Sequence, residues 1–106
     1  MPAIDYTVTA RFERQDLADE FVDWLRNGHM QALLRGGADR AELVRGSEPE
    51  DEQPTVTARY RFPNRAVFDA YLQDHAPRLQ EEGLEKFPTS RGVAFSRSVG
   101  EILLPR

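Results

Sequence analysis

Two segments in which apolar and polar residues strictly alternate constrain this fold more than any other feature of the sequence. The first runs from Ile4 to Phe12, with apolar residues Ile4, Tyr6, Val8, Ala10 and Phe12. The second runs from Thr55 to Phe62, with apolar residues Val56, Ala58, Tyr60 and Phe62. Successive side chains of a β-strand point to opposite faces of the sheet. The two segments are therefore predicted to be strands, each with one buried face and one polar face.

A long amphipathic segment, from Asp16 to Gly36, follows the first strand. Its apolar residues recur at steps of three and four, which places them along one stripe of a helix. They are Leu17, Phe21, Trp24, Leu25, Met30, Leu33 and Leu34. Glycine costs about 1 kcal/mol relative to alanine inside a helix, and asparagine tolerates a left-handed turn. The pair Asn27 and Gly28 therefore predicts a bend in the middle of this helix.

The middle of the chain is predicted to form an edge strand followed by a loop. Ala38–Arg45 alternates more weakly than the two clean segments, and its charged residues suit the edge of a sheet. Ser47–Pro54 is acidic, contains no apolar side chain apart from its prolines and ends in proline. We therefore expect it to be an exposed loop between two antiparallel strands.

The last third of the chain is predicted to supply a second helical region and a closing strand. Asn64 is expected to cap one helix, and Pro77 is expected to begin a fresh helical segment. The inward residues of these helices are predicted to be Val67, Phe68, Tyr71, Leu72 and His75, and then Leu79, Leu84 and Phe87. Val93–Leu104 reads as a strand with an irregularity near Gly100 that would turn the following apolar residues inward.

The predicted order of elements is strand, helix, strand, strand, helix, strand. This βαββαβ order is the ferredoxin-like plan of the α+β class, in which helices cover one face of a four-stranded antiparallel sheet. In that plan the first and third strands are central, and these are the two segments with the cleanest alternation. A chain of 106 residues suits one domain, so residues 1–106 are expected to form a single ferredoxin-like unit.

Composition argues against several classes of function. The net charge of −4 disfavours a nucleic-acid ligand, because proteins that bind nucleic acids usually carry a basic excess. The chain has no cysteine, and its two histidines lack a metal-type partner at close helical spacing, so neither a metal nor a cofactor is expected. No apolar run approaches the roughly 20 residues of a membrane span, and no signal pattern opens the chain. We therefore expect a cytoplasmic protein with no membrane or nucleic-acid partner.

The sheet face that the helices leave uncovered is predicted to be rich in hydroxyl groups. It carries Thr7, Thr9, Arg11, Thr55, Thr57, Arg59 and Arg61. One self-complementary patch suffices for a two-fold contact, so we expect a homodimer in which two such faces meet as a dimeric α+β barrel. The interface residues would be Thr7, Thr9, Thr55, Thr57 and Arg59. The alternative is a monomer whose sheet is open to solvent.

Five residues are candidates for a small-molecule site, namely Trp24, His29, Tyr71, His75 and Arg97. Trp24 would be an aromatic wall and His29 a polar anchor of a pocket between helix and sheet. The alternative is that Trp24 fills the core while His29 and His75 are ordinary helix-end residues. Arg97 has apolar neighbours on its own strand face, where a guanidinium needs a carboxylate or a bound anion. No glycine-rich phosphate loop, catalytic triad or carboxylate pair appears, so no catalytic residue is assigned.

Several short motifs resemble a known family. They are Trp24-Leu25 with His29, Thr57-Ala58-Arg59-Tyr60, YLQDHAPRLQEEGLEKF from Tyr71 to Phe87 and AFSRSV from Ala94 to Val99. They resemble an uncharacterised bacterial family of small dimeric α+β-barrel proteins, near the antibiotic-biosynthesis monooxygenase and stress-responsive barrel group. The resemblance implies a ferredoxin-like subunit, a two-fold dimer and a helix-sheet pocket with residues matching Trp24, His29, Tyr71 and Arg97. It implies no established reaction, although some relatives in the wider group oxidise polyketides without a cofactor or bind haem.

Three hypotheses about function follow. The first is a dimeric barrel that binds a small planar or aromatic molecule and resembles a cofactor-independent oxygenase or isomerase. The second is a non-catalytic dimer with a structural or interaction role, because no complete catalytic set is present. The third is a regulatory ligand-binding domain, although such domains have a glycine-rich turn after the first strand and the segment FERQDL from Phe12 to Leu17 lacks one. Whether the protein is an enzyme stays open at this point.

Overall fold

The structure, a computed structural model, describes residues 2–46 and 53–104 as a four-stranded antiparallel sheet with helices on one face. The strands are β1 (Ala3–Phe12), β2 (Arg40–Arg45), β3 (Thr55–Phe62) and β4 (Val93–Ile102). Their order across the sheet is β2-β3-β1-β4, so the two alternating segments lie side by side at its centre. This confirms the ferredoxin-like α+β prediction. Of the acidic segment Ser47–Pro54, only Gln53 and Pro54 fall within the described residues.

The helical elements connect these strands in the predicted βαββαβ order. They are α1 (Gln15–Trp24), α2 (Met30–Arg35), α3 (Arg65–Asp74) and α4 (Ala76–Lys86), with a wider turn over Leu25–His29 and a 3₁₀ turn over Thr89–Arg91. The side chain of Asn64 caps α3 as predicted, because its Oδ1 accepts a hydrogen bond from the amide of Val67 at 2.9 Å. Pro77 lies in the first turn of α4, where a missing amide hydrogen breaks no helical bond. Within the described ranges, none of these helices has the length and apolar character needed to cross a membrane.

The pairing of β1 with β3 aligns the two alternating patterns. Tyr6 lies opposite Tyr60, and Thr9 lies opposite Thr57 with their hydroxyl oxygens 3.4 Å apart. The inward residues that are buried are Ile4, Tyr6, Ala10, Phe12, Val56, Ala58, Tyr60 and Phe62. The threonines of the opposite face are half-buried, and no helix covers them. The alternation therefore predicted both the strands and the face that each side chain occupies.

Aromatic side chains from both layers form the centre of the core. The ring centroid of Phe62 on β3 lies 5.1 Å from that of Phe68 and 5.1 Å from that of Tyr71, both on α3. At the other end, Phe21 on α1 meets Phe87 edge to face at 5.1 Å. Full burial of such a side chain contributes about 1.5–3 kcal/mol. Packing of this kind holds a chain without cysteines together.

The long amphipathic segment is broken at the predicted place. Gly28 has a φ of +150°, and Asn27 has the non-helical angles −97° and 23°. A φ of +150° is open to glycine and strongly disfavoured for any residue with a β carbon. As a result Trp24, at the end of α1, and His29, just before α2, lie on either side of one break in the helix.

The irregularity predicted in β4 is wrong. β4 pairs with β1 in one unbroken antiparallel register along its whole length, with Gly100 opposite Asp5. Ile102 lies opposite Ala3 and so belongs to the uncovered face, not to the helix side. Pairing with a ten-residue central strand outweighs the weak strand preference of a single glycine.

Three leucines that were predicted to face the core are exposed. Leu34 on α2 is 41% exposed, Leu72 on α3 is 38% exposed and Leu84 on α4 is 51% exposed. Tyr71, one residue before Leu72, is buried and points inward. Consecutive helical residues are rotated by about 100°, so a residue beside the centre of the apolar stripe turns toward the surface.

Candidate functional site

A cavity lies between the helices and the inward face of the sheet. Tyr6, Tyr60 and Phe95 from three strands line it on one side, while Trp24 and Tyr71 line it from the helices. Its volume is about 40 Å³. A buried water molecule needs about 10–15 Å³, so the cavity has room for two or three water molecules. It has the aromatic lining of a small-molecule site but less than the roughly 300 Å³ that such sites usually offer.

Trp24 and His29 form a stacked pair across the break at Gly28. Their ring centroids are 4.2 Å apart and the ring planes differ by 23°. Both residues line the cavity, and both also line a surface groove of about 300 Å³ that includes Arg35 and Glu82. The stacked pair is therefore a wall that separates the cavity from the groove.

His29 carries a buried nitrogen with no partner. Within residues 2–46 and 53–104, its Nδ1 is the one fully buried side-chain nitrogen or oxygen that makes no hydrogen bond. Burial lowers the pKa of His29, while the nearby charge of Glu82 raises it and that of Arg97 lowers it. The imidazole is therefore neutral at pH 7, and one of its nitrogens can accept a hydrogen bond or a proton.

The lowered pKa of His29 predicts a loss of stability on mild acidification. A histidine in the unfolded chain has a pKa near 6.5, so below about pH 7 the unfolded chain binds more protons than the folded one. The free energy of unfolding should therefore fall between about pH 7.5 and 5.5, by at most about 1.4 kcal/mol per pH unit. Urea unfolding across this range measures it. A His29→Phe variant should lose this part of the slope, and a slope that survives unchanged in that variant would contradict the assignment.

Three tyrosines line the cavity in mutual contact. The ring centroid of Tyr6 lies 6.1 Å from that of Tyr60 and 6.0 Å from that of Tyr71. All three are at most 4% exposed, and no group in the described part of the chain hydrogen-bonds to their hydroxyls. Burial raises the pKa of Tyr60 and of Tyr71, so both hydroxyls stay protonated at neutral pH. They are available as hydrogen-bond donors to whatever occupies the cavity.

Arg97 lies on β4 at the open side of the cavity. It stands opposite Val8 in the register, so its strand position faces the helices, and its side chain is exposed while also lining the cavity. Its guanidinium carbon lies 5.9 Å from the ring centroid of Phe95. Among the residues that the structure describes, no carboxylate forms an ion pair with it. Of the two partners that the sequence allowed for this guanidinium, the structural salt bridge is not found in the described chain.

His75 does not line the cavity. It lies at the junction of α3 and α4, with its ring stacked behind that of Tyr71 at a centroid distance of 6.3 Å and an angle of 16°. Gly36 lies against both rings, where an added β carbon would be 3.1 Å from Cδ1 of Tyr71 and 3.3 Å from the His75 ring. The structure therefore brings Trp24, His29, Tyr71 and Arg97 around one cavity and leaves His75 in the layer behind it.

Sequence reasoning missed three polar side chains of the cavity. Tyr6 and Tyr60 were assigned to the core from their inward positions, and Gln80 on α4 was not considered. A signal was available for the tyrosines, because a buried phenol needs a partner for its hydroxyl whereas phenylalanine does not. Two tyrosines on the inward faces of adjacent central strands therefore indicate a polar space in the core.

This arrangement combines donors and an acceptor in an aromatic enclosure. Tyrosine hydroxyls can donate to an oxygen of a bound molecule, and His29 can accept a proton from it. In the part of the chain described by the structure, no three histidine, aspartate or glutamate side chains lie close enough together to hold a metal ion. The tyrosine hydroxyls and the imidazole are themselves suited to hydrogen bonding and proton transfer.

Comparison with protein families places the chain in a group defined by sequence. A family model described as a domain of unknown function, DUF4286, matches residues 3–102. No curated protein matches the chain. The family model spans nearly all of the fold described above.

Comparison with solved structures finds chains of the same fold at low identity. A dimeric ferredoxin-like protein from an uncultured marine organism has a TM-score of 0.74 at 18% identity, with 100% of both chains covered. A putative antibiotic biosynthesis monooxygenase from Bacillus cereus has a TM-score of 0.67 at 8% identity, covering 100% of this chain and 98% of that one. SnoaB, a cofactor-independent oxygenase from Streptomyces nogalater, has a TM-score of 0.65 at 12% identity, with 100% of both chains covered. These likenesses confirm the ferredoxin-like fold.

Proposed function

The chain belongs to the DUF4286 family, a domain family of unknown function, and we propose that it is a dimeric α+β-barrel protein that binds a small planar or aromatic molecule between its helices and its sheet. The binding site is the cavity lined by Trp24, His29, Tyr71 and Arg97, together with the inward tyrosines of the two central strands. Each subunit would hold one ligand, because the cavity lies entirely within one chain.

The unpartnered polar groups of the cavity carry this proposal. Buried hydroxyls and ring nitrogens almost always have a hydrogen-bond partner, because each unsatisfied group costs about 1–3 kcal/mol. Here the Nδ1 of His29 is fully buried and has none. The hydroxyls of Tyr6, Tyr60 and Tyr71 also lack a hydrogen-bond partner within the described residues, but they are not fully buried, which leaves them open to a molecule in the cavity. A filled core would use phenylalanine at such positions. A site for a molecule with polar atoms supplies the missing partners.

The stacked pair of Trp24 and His29 offers a way to enlarge the cavity. With a volume of about 40 Å³, the cavity holds a few waters in the present conformation, while the groove beyond the pair has about 300 Å³. Displacement of the two rings would join the spaces into one of ligand size. Gly28, between Trp24 and His29, already departs from helical geometry, so the pair is not held by one continuous helix.

The uncovered sheet face supports the dimeric part of the proposal. Thr9 and Thr57 sit at its centre, and Arg59 is held beside them by an ion pair with Asp5 at 3.6 Å. Val44, at the edge of the same face, is 48% exposed. A face rich in hydroxyl and methyl groups, with the charge of Arg59 paired within it, is suited to meet a second copy of itself about a two-fold axis.

A catalytic role would be acid-base in character. The neutral imidazole of His29 would take a proton from an acidic C–H or O–H bond of the ligand, and a tyrosine hydroxyl would donate a hydrogen bond to the oxygen that becomes negative. Proton removal of this kind is the step that an isomerase needs, and it also forms the electron-rich anion that dioxygen, as the oxidant, would attack in a cofactor-independent oxygenation. The proposal therefore extends to isomerase- or oxygenase-like chemistry on the bound compound.

Binding of planar probes tests the proposal. Trp24 is the only tryptophan, so its fluorescence reports directly on the cavity wall. We expect at least one of 2-naphthol, 2-naphthamide and 2-naphthoate to change this fluorescence saturably, with the affinity confirmed by isothermal titration calorimetry. Trp24→Ala should weaken calorimetric binding at least about tenfold, or ~1.4 kcal/mol, because the ring that stacks on the ligand is lost.

A second variant separates loss of the site from loss of the fold. A β carbon at position 83 would lie 3.6 Å from Cη2 of Trp24, so Gly83→Leu places a side chain against the cavity while improving helix propensity. It should bind the probes poorly and remain stable. Leu72→Ala, on the exposed side of α3, is the control and should bind as the wild type does. The proposal fails if no probe binds the wild type, or if Gly83→Leu binds as tightly.

A non-catalytic structural dimer is the second candidate. The observation that favours it is the small volume of the cavity, because a helix-sheet interface with room for only two or three waters is close to filled. In that case the wild type would bind none of the probes, and filling the cavity through Gly83→Leu would raise the thermal stability without any loss of function.

A further inference from the structure

The cavity presents donors and a positive charge to its contents, and no carboxylate. No aspartate or glutamate is found among the described residues that line it, and Glu82 lies on the outer groove instead. The hydroxyls of Tyr60 and Tyr71 remain protonated because burial raises the pKa of both. Such a lining is complementary to oxygen atoms that accept hydrogen bonds and is unfavourable for a cation.

Arg97 adds the only formal charge among these lining residues. Its charge is felt inside the cavity, because it lowers the pKa of both His29 and Tyr71. Its guanidinium lies beside the ring of Phe95 on the inward face of β4, and it is exposed and has no carboxylate partner among the described residues, so it is free to pair with an anion that enters the cavity. Guanidinium pairs with carboxylates and other planar oxyanions through two parallel hydrogen bonds, which fixes the plane of the anion.

We infer that the ligand is an aromatic anion, whose ring lies among Trp24 and the tyrosines and whose carboxylate or phenolate oxygens meet Arg97. This inference rests on the proposed function, since it names the chemical class of the ligand of that same site. The aromatic walls select the ring by stacking and by burial of its faces. The guanidinium selects the charge, and the tyrosine hydroxyls hydrogen-bond the remaining oxygens.

Two probes of equal ring size separate the roles of ring and charge. 2-Naphthoate carries a carboxylate, and 2-naphthamide is its neutral isostere. Isothermal titration calorimetry on the wild type should give an affinity for the anion roughly 10- to 100-fold higher, the range that charge-assisted hydrogen bonds provide. Arg97→Gln should bring the two probes within about threefold of each other by weakening only the anion, and Arg97→Lys should retain part of the preference.

An arginine outside the site provides the matched control. Arg65 is exposed on α3 and pairs with Asp69 at 3.1 Å, so Arg65→Gln removes the same charge without touching the cavity. It should keep the full preference for the anion. Equal binding of both probes to the wild type, or an anion affinity untouched by Arg97→Gln, would overturn the inference and leave the proposed planar site standing. Failure of both probes while 2-naphthol binds would overturn the inference alone, and failure of 2-naphthol as well would overturn the proposed function together with it.

Discussion

Phe62→Ala is expected to lower the free energy of unfolding by about 3–5 kcal/mol, the range measured when a buried phenylalanine is truncated in a packed core. Phe62 is fully buried, and its ring contacts Phe68 and Tyr71 at centroid distances of 5.1 Å. It pairs with Ile4 of β1 and is covered by rings of α3, so the cavity it leaves is bounded by both layers of the fold and cannot collapse easily. A loss of this size is a large part of the 5–15 kcal/mol that stabilises a typical domain.

Urea unfolding at one fixed protein concentration measures this loss, because a dimer would make the stability depend on concentration. Phe62→Leu keeps most of the side-chain volume and should cost less than about half as much. Leu72→Ala is the matched truncation at a site 38% exposed, and a change below about 1 kcal/mol is expected there. A Phe62→Ala loss no larger than that of Leu72→Ala would mean that the core does not depend on this ring.

The sequence predicts the inward position of Phe62 and most of the architecture. Strict alternation assigns every residue from Ile4 to Phe12 and from Thr55 to Phe62 to a face, because the two-residue period of a strand leaves no freedom in side-chain direction. The break at Gly28 was equally predictable, since the chemistry of that residue is local. The features that local chemistry or a regular sequence period predicted are therefore present in the fold.

The errors arise where a choice depends on a partner element. The irregularity predicted at Gly100 rested on the weak strand preference of glycine, yet β1 offers ten consecutive pairing positions and β4 uses all of them. Leu84 was placed inward by helical spacing, but the cavity and not the core lies beneath this part of α4, so the side chain stays exposed at its edge. Neither outcome can be read from the residue itself.

The candidate site likewise contains residues that the sequence predicted and residues that it missed. Trp24, His29 and Arg97 were singled out because each is unusual where it stands, and the structure brings them around one cavity. Tyr6 and Tyr60 looked ordinary, because an inward tyrosine fits the pattern of a core strand. Their hydroxyls could meet either a packed helix or an open space, depending on the distance between α4 and the sheet. Sequence periodicity does not predict that distance.

The largest effect on assembly is expected from Thr57→Asp, which should convert a dimer into a monomer. Thr57 lies at the centre of the uncovered face, with its hydroxyl 3.4 Å from that of Thr9 on the neighbouring strand. In a two-fold interface one substitution is introduced twice, so two carboxylates would be brought close together and stripped of water. Such a like-charge contact costs several kcal/mol, which corresponds to a rise in the dimer dissociation constant of at least about 100-fold.

Light scattering over a range of concentrations measures this change, and circular dichroism checks that the variant still folds. Thr89→Asp makes the same substitution at an exposed threonine outside the sheet, in the 3₁₀ turn, and should leave the dimer intact. Thr57→Ser keeps the hydroxyl and should also remain dimeric. Since the cavity between the helices and the sheet lies on the opposite side of the sheet, the proposed ligand site is not part of this interface, and the Thr57→Asp monomer should still bind planar probes. A wild type that is monomeric at micromolar concentration, or a Thr57→Asp protein that stays dimeric, would mean that this face meets solvent or that two copies associate elsewhere.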